Sequence, residues 1–203
     1  MQYKYNATCT ACNVLCELNE KNEHLKNMCV GKKELVWPRT NIFFNLAAEG
    51  FIRSIRINRP NTSIAIINFS IENIRYFTNS KWLTLFSDIT FKIILLCEKR
   101  MLALANHWRK KIRCDVILAT KNINETTRLI RSAMFNELPQ TKKSAIITAN
   151  EISTLNLIFE GTSPSDISTK LNCSIRDVYR YKYSACRKIG LDIDVRNLLI
   201  QRY

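Results

Sequence analysis

The sequence predicts two folded parts, an α/β part built on a parallel sheet and an all-α part behind it, and three observations carry that reading. Between Ser63 and Leu138 the apolar pattern changes period repeatedly, as alternating strands and helices require. The strands in this stretch are continuous apolar runs rather than alternating ones, so both of their faces are buried, which is the signature of a parallel sheet covered by helices. Past residue 146 three helix starts follow one another within 30 residues, each with its own capping pair.

Taken in order, residues 1–35 are polar with no clear period and read as a poorly defined, cysteine-bearing N-terminal arm. The α/β part occupies residues 36–138. Asn41 to Ile55 is expected to supply an early strand and helix, and its apolar run around Ile42, Phe43 and Phe44 offers no acidic cluster. Ser63 to Phe69 (SIAIINF) is the first of three well-marked strands, and Ile71 to Phe86 carries a helical face. Phe91 to Leu96 is the second strand and Arg100 to Lys111 is helical. Cys114 to Ala119 is the third strand, and Asn124 to Leu138 is an amphipathic helix with Ile130, Met134 and Phe135 near one face. The polar, proline-bearing segment 139–145 (PQTKKSA) is the linker, and residues 146–203 form the second part.

Composition narrows the function. A chain of 203 residues has room for two ordinary domains. Lys and Arg number 31 against 17 Asp and Glu, a formal charge of +14 that makes a polyanion or an acidic surface the expected partner. With 46% hydrophobic residues and only four Gly and four Pro, most of the chain should fold. No stretch approaches the roughly 18 uninterrupted apolar residues of a membrane helix, and Met1 to Glu17 is polar rather than a basic-then-apolar signal. A cytoplasmic protein without a membrane role is therefore expected. The eight cysteines are not spaced like a secreted disulfide scaffold, and Cys97, Cys114, Cys173 and Cys186 sit singly in apolar or helical surroundings, as small core residues do. Only His24 and His107 are present, with no Gly-rich phosphate loop and no acid pair at a strand end, so an enzyme is not expected.

The three helix starts are Thr148 with Glu151, Ser163 with Asp166, and Ser174 with Asp177, each able to form a capping box or a near relative. Gly161 closes the first helix as a left-handed stop, and Asn172-Cys173 makes the short turn between the second and third. Leu155, Ile158, Phe159, Ile167, Leu171, Val178, Ala185 and Ile189 fall where three helices would converge. The third helix, Ser174 to Lys188, carries Arg176, Arg180, Lys182, Arg187 and Lys188 against the single acid Asp177, with Tyr179, Tyr181 and Tyr183 between them. Such a face suits a major groove, because cations neutralise phosphates, Arg can grip guanine bidentately and a Tyr hydroxyl can bond phosphate or base. The plainer alternative is an amphipathic bundle whose outer face is merely basic.

The run from Ile147-Thr148-x-x-Glu151 through Leu155, Gly161, Ile167, Leu171, Ser174-x-x-x-Val178 and Lys188-Ile189-Gly190 resembles the LuxR/FixJ-type (GerE-like) four-helix DNA-binding domain. The stretch Ala103 to Trp108 (ALANHW), with Asn172-Cys173-Ser174 and Val178-Tyr179, resembles the enterobacterial fimbrial and pilus regulators of the EcpR/MatA or FimW kind. The resemblance implies a sequence-specific, nucleoid-associated regulator of double-stranded DNA. Tyr179, Arg180 and Tyr183 would read bases, while Arg176, Lys182, Arg187 and Lys188 would mostly hold the backbone. Tyr179 and Tyr181 stand where the family often has Lys or His, so base preference does not transfer. A fourth helix near residues 192–201 would pair two copies, placing two reading helices about one DNA turn apart.

Three strand-helix units ahead of such a domain resemble the second half of a response-regulator receiver. In a receiver the strand of SIAIINFS would end in the phosphate-accepting Asp, and here Asn68 takes that place; an amide oxygen is far less nucleophilic than a carboxylate and cannot form the acyl phosphate. A degenerate receiver, not switched by phosphorylation, is therefore expected. Lys121 follows the last strand where a receiver has its lysine, but alone it reads as a surface charge. Cys9, Cys12, Cys16 and Cys29 are spaced C-x2-C-x3-C-x12-C, close enough for zinc or an iron-sulfur cluster. The x3 gap and the lack of a second C-x2-C make reduced, unliganded thiols the default and no cofactor the expectation. Six cations and no acid between Lys99 and Arg113 are either a solvated helix end or a surface that steers toward DNA or an acidic partner. A rival to direct DNA binding is an interaction protein that holds another regulator in a heterodimer.

Overall fold

The structure, a computed structural model, describes residues 7–11, 17–18, 33–55, 63–86, 91–120, 122–135 and 145–191. Six strands are described: β1 (Ala7–Thr8), β2 (Glu17–Leu18), β3 (Glu34–Trp37), β4 (Ser63–Phe69), β5 (Phe91–Cys97) and β6 (Cys114–Leu118). β1 and β2 pair antiparallel as a small ribbon. β3 to β6 form a four-stranded parallel sheet in the order β3-β4-β5-β6. Helix α1 (Ile42–Ile55) joins β3 to β4, α2 (Leu102–Lys111) joins β5 to β6, and α3 (Ile123–Met134) follows β6. The helices α4 (Ala149–Phe159), α5 (Pro164–Lys170) and α6 (Ile175–Ile189) complete the described chain.

β4 and β5 are buried on both faces, as their continuous apolar sequences require. The sheet therefore has two cores. One face packs Val36, Ile64, Ile66, Ile94 and Ile117 against Ala48 and Ile52 of α1 and Ile130, Ala133 and Met134 of α3. The other packs Leu35, Trp37, Ile67, Phe69, Leu95 and Cys97 against Phe77, Trp82 and Trp108, whose rings meet edge-on at 5.5 to 5.6 Å. Each crossover steps one strand in the same direction, yet α1 covers one face and α2 the other. The β3-α1-β4 and β5-α2-β6 connections therefore have opposite hands, against the usual right-handed rule. The free edge of β3 is covered from the N-terminal side: Cys9 bridges Leu35 antiparallel and the Thr10 N–H donates to the Glu34 carbonyl at 2.8 Å.

Several sequence expectations change. The apolar run at Ile42 to Phe44 is the first turn of α1 rather than a strand. Asn41 starts this helix, its side-chain oxygen accepting from the Phe44 N–H at 3.0 Å, and Ile42 and Phe43 are left 59% and 80% exposed. The first sheet strand lies earlier, at Glu34–Trp37, and the arm ahead of it is partly built in, with Ala7 and Cys9 in the core. Ile71 to Phe86 forms two 3-10 segments, Ile71–Phe77 and Lys81–Phe86, instead of one α-helix. Side chains there bond local backbone: Asn73 Nδ2 donates to the Asn68 carbonyl, Thr78 Oγ1 to the Arg75 carbonyl, and the Lys81 N–H to Asn79 Oδ1. The apolar residues Ile74 and Phe77, then Trp82 and Leu85, recur at spacing three, the period of a 3-10 turn. α3 ends at Met134, and Phe135 lies beyond its buried face, 45% exposed. Linker residues 139–144 and Lys121 lie outside the described residues.

Candidate nucleic-acid interface

α4, α5 and α6 each begin at the hydroxyl residue expected. Thr148 and Ser174 head full capping boxes with Glu151 and Asp177, and Ser163 Oγ accepts from the Asp166 N–H ahead of Pro164 at the first helical position. Gly161 at φ 80° and Asn172 at φ 47° turn the chain in the left-handed region, which glycine and asparagine tolerate. These two stops fix the angles between three short helices. Leu155, Phe159, Ile167, Val178, Ala185 and Ile189 are buried, while Ile158 and Leu171 are half-buried.

α6 divides into two faces. Val178, Ala185, Cys186 and Ile189 point inward. Arg176, Tyr179, Arg180, Tyr183 and Arg187 are exposed, and their spacing of three and four residues puts them on one side of the helix. They lie within a stretch of 12 residues, about 16 Å from first to last along the axis at the helical rise. Tyr179 and Tyr183 are 43% and 48% exposed, so their rings and hydroxyls are presented on this face beside the three arginines. Arg180 is held at the helix surface by Asp177 at 2.8 Å and lies over the Tyr181 ring, 5.4 Å from its centroid. Tyr181 in turn accepts from Asn150 Nδ2 at 3.3 Å, which ties it to α4 and makes it a brace for Arg180. Lys182 is half-buried at the margin of the face. Hydrogen bonds from Ser174 hold the Asp177 carboxyl below the usual carboxylate range, with Arg180 and Arg176 adding to the effect, so the acid stays ionised as a cap.

Lys188 is placed differently from the sequence expectation. Its ammonium points inward, donating to both Glu151 oxygens at 2.8 Å and to the Ile146 carbonyl at 3.0 Å. A cation committed to three internal acceptors is not presented to a phosphate. Burial alone would raise the Glu151 carboxyl, but bonds from Lys188, Ser184 and the Thr148 N–H outweigh it and hold it below its ordinary value.

The helix trio is seated on the sheet. His107 Nδ1 meets the Ile147 carbonyl at 2.9 Å, the Ile147 N–H donates to Ala103, and Asn106 Nδ2 reaches the Ala145 carbonyl. The ALANHW stretch that carried a family resemblance is thus the strip of α2 on which α4 begins. Thr78 Oγ1 and Asn79 Nδ2 donate to Asn156 Oδ1 at 3.1 and 3.0 Å, and Arg75 lies over Phe159. Ile147, Ile152, Leu155, Phe159, Ala185, Cys186 and Ile189 belong to the same apolar cluster as Trp37, Phe69, Trp82 and Trp108. Sequence reasoning did not find Glu151 as a partner for Lys188, nor Thr78, Asn79 and Arg75 as contacts of α4.

Of the other sequence candidates, Asn68 lies near the carboxyl end of β4, buried, beside a neutral network: Thr40 Oγ1 donates to Asn73 Oδ1, and Asn73 Nδ2 donates to the Asn68 carbonyl and Ser70 Oγ. Cys9 is buried in the core, whereas Cys12, Cys16 and Cys29 lie outside the described residues. Among the described residues, no group of three or more His, Cys, Asp or Glu is placed to hold a metal ion. Cys97 and Cys186 are buried and Cys114 and Cys173 half-buried, and burial pushes the Cys114 thiol up to about 12. Residues 192–201, the expected fourth helix, lie outside the described residues. Among the described residues no helix is long and apolar enough to cross a membrane.

A family model described as the EcpR N-terminal domain matches residues 8–134, ending before the helix trio begins. The chain is similar to "Uncharacterized protein YqeH" of Escherichia coli (strain K12), 23% identical over 194 residues that cover 93% of this chain and 90% of that protein. No solved structure matches.

Proposed function

The chain belongs to the EcpR N-terminal domain family, and from that premise we propose that it is a transcription regulator of fimbrial or related adhesion genes that binds double-stranded DNA through α6. The observation that carries the proposal is the exposed row Arg176, Tyr179, Arg180, Tyr183 and Arg187 on a helix whose opposite face is built into the core. Arg180 and the two exposed tyrosines take the base-reading role, and Arg176, Lys182 and Arg187 contact phosphates. Lys188 leaves that set. The regulator acts as a homodimer paired through residues 192–201, in line with its resemblance to four-helix DNA-binding domains. Asn68 and its neutral surroundings leave no phosphorylation step in control.

Fluorescence anisotropy with a labelled duplex from the gene's own promoter, titrated across a salt series, tests the proposal. Binding is expected to weaken with salt, with a log-log slope of about −3 to −4 per protomer for three to four phosphate contacts. The pair Arg180→Ala and Lys182→Ala should lower affinity by about 30-fold or more. Unchanged affinity in that pair would refute the role of α6.

A second reading, a partner protein that holds another regulator in a heterodimer, draws on the apolar first turns of α1, where Ile42, Phe43 and Leu46 are 59%, 80% and 60% exposed. Promoter occupancy lost on Phe43→Asp but kept on Arg180→Ala with Lys182→Ala would select it.

A further inference from the structure

We propose that the cleft between the carboxyl ends of β5 and β6 and the last turn of α6 is a binding site for a phosphate-bearing anion. The cleft has a volume of about 610 Å³ and is lined by Glu98, Lys99, Arg100, Ala119, Arg187, Lys188 and Gly190. The cleft is wide and open to solvent, so it suits a ligand held by charge rather than by enclosure. The position suits one too, because open parallel sheets hold their ligands in crevices outside the carboxyl ends of the strands, and Glu98 and Ala119 are the residues next after β5 and β6.

The charges select the ligand. Four cations face one acid in the lining. Glu98 is matched by Arg100 at 3.2 Å, and Lys188 is matched by Glu151 at 2.8 Å. Lys99 and Arg187, both exposed, have no ion pair among the described residues. They come from different elements, one entering α2 and one ending α6, so an anion between them joins the sheet to the basic helix. The guanidinium fork of Arg187 and the compact ammonium of Lys99 both suit phosphate oxygens, and the positive end of α2 lies just beyond Lys99.

The walls are set by packing. The Ala119 N–H donates to the Cys97 carbonyl at 2.8 Å, which fixes the two strand ends together. Gly190 ends α6 at φ 63°, a left-handed position that glycine takes without strain, and sets the end of α6 beside Arg100. Two sources could supply the phosphate, a free nucleotide-sized compound or the backbone of a bound duplex. The second source rests on the function proposed above and the first does not.

Calorimetry of the full chain with inorganic pyrophosphate at low ionic strength tests the site. Saturable binding is expected, weakened about tenfold by Lys99→Ala with Arg100→Ala and by Arg187→Ala, and changed less than about twofold by Lys110→Ala, an exposed cation on α2 away from the cleft. The double variant is then titrated with duplex. A fall in duplex affinity of about fivefold, with pyrophosphate competing, identifies backbone phosphate as the natural occupant; unchanged duplex affinity with weakened pyrophosphate binding identifies a free anion. Absence of saturable pyrophosphate binding with unaltered duplex affinity overturns the site, as does an equal loss in Lys110→Ala. Failure of the unsubstituted chain to bind duplex while it binds pyrophosphate saturably counts against the function of α6 and not against the cleft, and unchanged pyrophosphate binding in the double variant overturns the cleft.

Discussion

Replacing Lys188 with alanine separates a structural ammonium from a phosphate contact. In the folded protein that group donates to Glu151 Oε1 and Oε2 at 2.8 Å and to the Ile146 carbonyl at 3.0 Å. Truncation leaves a carboxylate that is 4% exposed, still bonded by the Thr148 N–H at 2.8 Å, with its cation gone. Breaking a buried pair from one side costs about 3 to 5 kcal/mol. Here water reaches the site, since the Lys188 side chain is 22% exposed, so about 2 to 3 kcal/mol is the expected loss. Urea unfolding followed by circular dichroism should show the midpoint fall by about 1 M. Adding Glu151→Gln to Lys188→Ala removes the uncompensated charge and should restore part of the loss. The sign with pH follows from the lowered Glu151 carboxyl: its contribution is present above the ordinary value of 4.5 and is lost as pH falls through the folded value. Without Lys188, burial raises that carboxyl above its unfolded value, so the variant's deficit should be full at neutral pH and shrink as pH falls and the carboxyl takes up its proton. A loss below about 0.5 kcal/mol, or a fall in duplex affinity at unchanged stability, would refute the lock and return Lys188 to the phosphates.

His107 is held below its ordinary pKa by burial, against the opposing bond to the Ile147 carbonyl and with Lys111 adding to the fall. The unfolded chain therefore takes up the proton first, and stability should be full above pH 6.5 and drop as pH falls below it; urea midpoints at pH 7.5 and 5.5 should differ more in wild type than in His107→Phe. Leu155→Ala, at a fully buried position, should cost about 2 to 5 kcal/mol and leave one transition by both tryptophan fluorescence and circular dichroism, whereas two separate transitions would contradict the shared core. Incubation with acetyl phosphate should give no base-labile adduct, and a stoichiometric one would show that a residue other than Asn68 accepts phosphate.

The parts of the fold visible in the sequence are those fixed by local chemistry. Ser63 to Phe69 was legible because seven consecutive residues are pressed from both sides, and the three helix starts because a hydroxyl and an acid three places apart close on each other without help from the rest of the chain. Glu34–Trp37 was not, since four residues give too short a run and its burial comes from residues 7–10 and from β4. Ile42-Phe43-Phe44 misled for the opposite reason: an apolar triplet normally signals burial, and here Asn41 turns it outward as a helix. At the candidate interface, spacing identified the exposed row of α6. The inward turn of Lys188 depends on Glu151, 37 residues away, and no local pattern announces such a pairing.

Because Leu155, Phe159 and Ile189 share their interior with Trp37, Trp82 and Trp108, α6 has no independent joint at which to swing. On the function proposed above, a helix mounted this way would not search a duplex by reorienting on a flexible tether; whole copies would arrive already posed, and the spacing between half-sites would be a ruler set by how two copies meet. A signal that relaxes the sheet would then also blunt that helix.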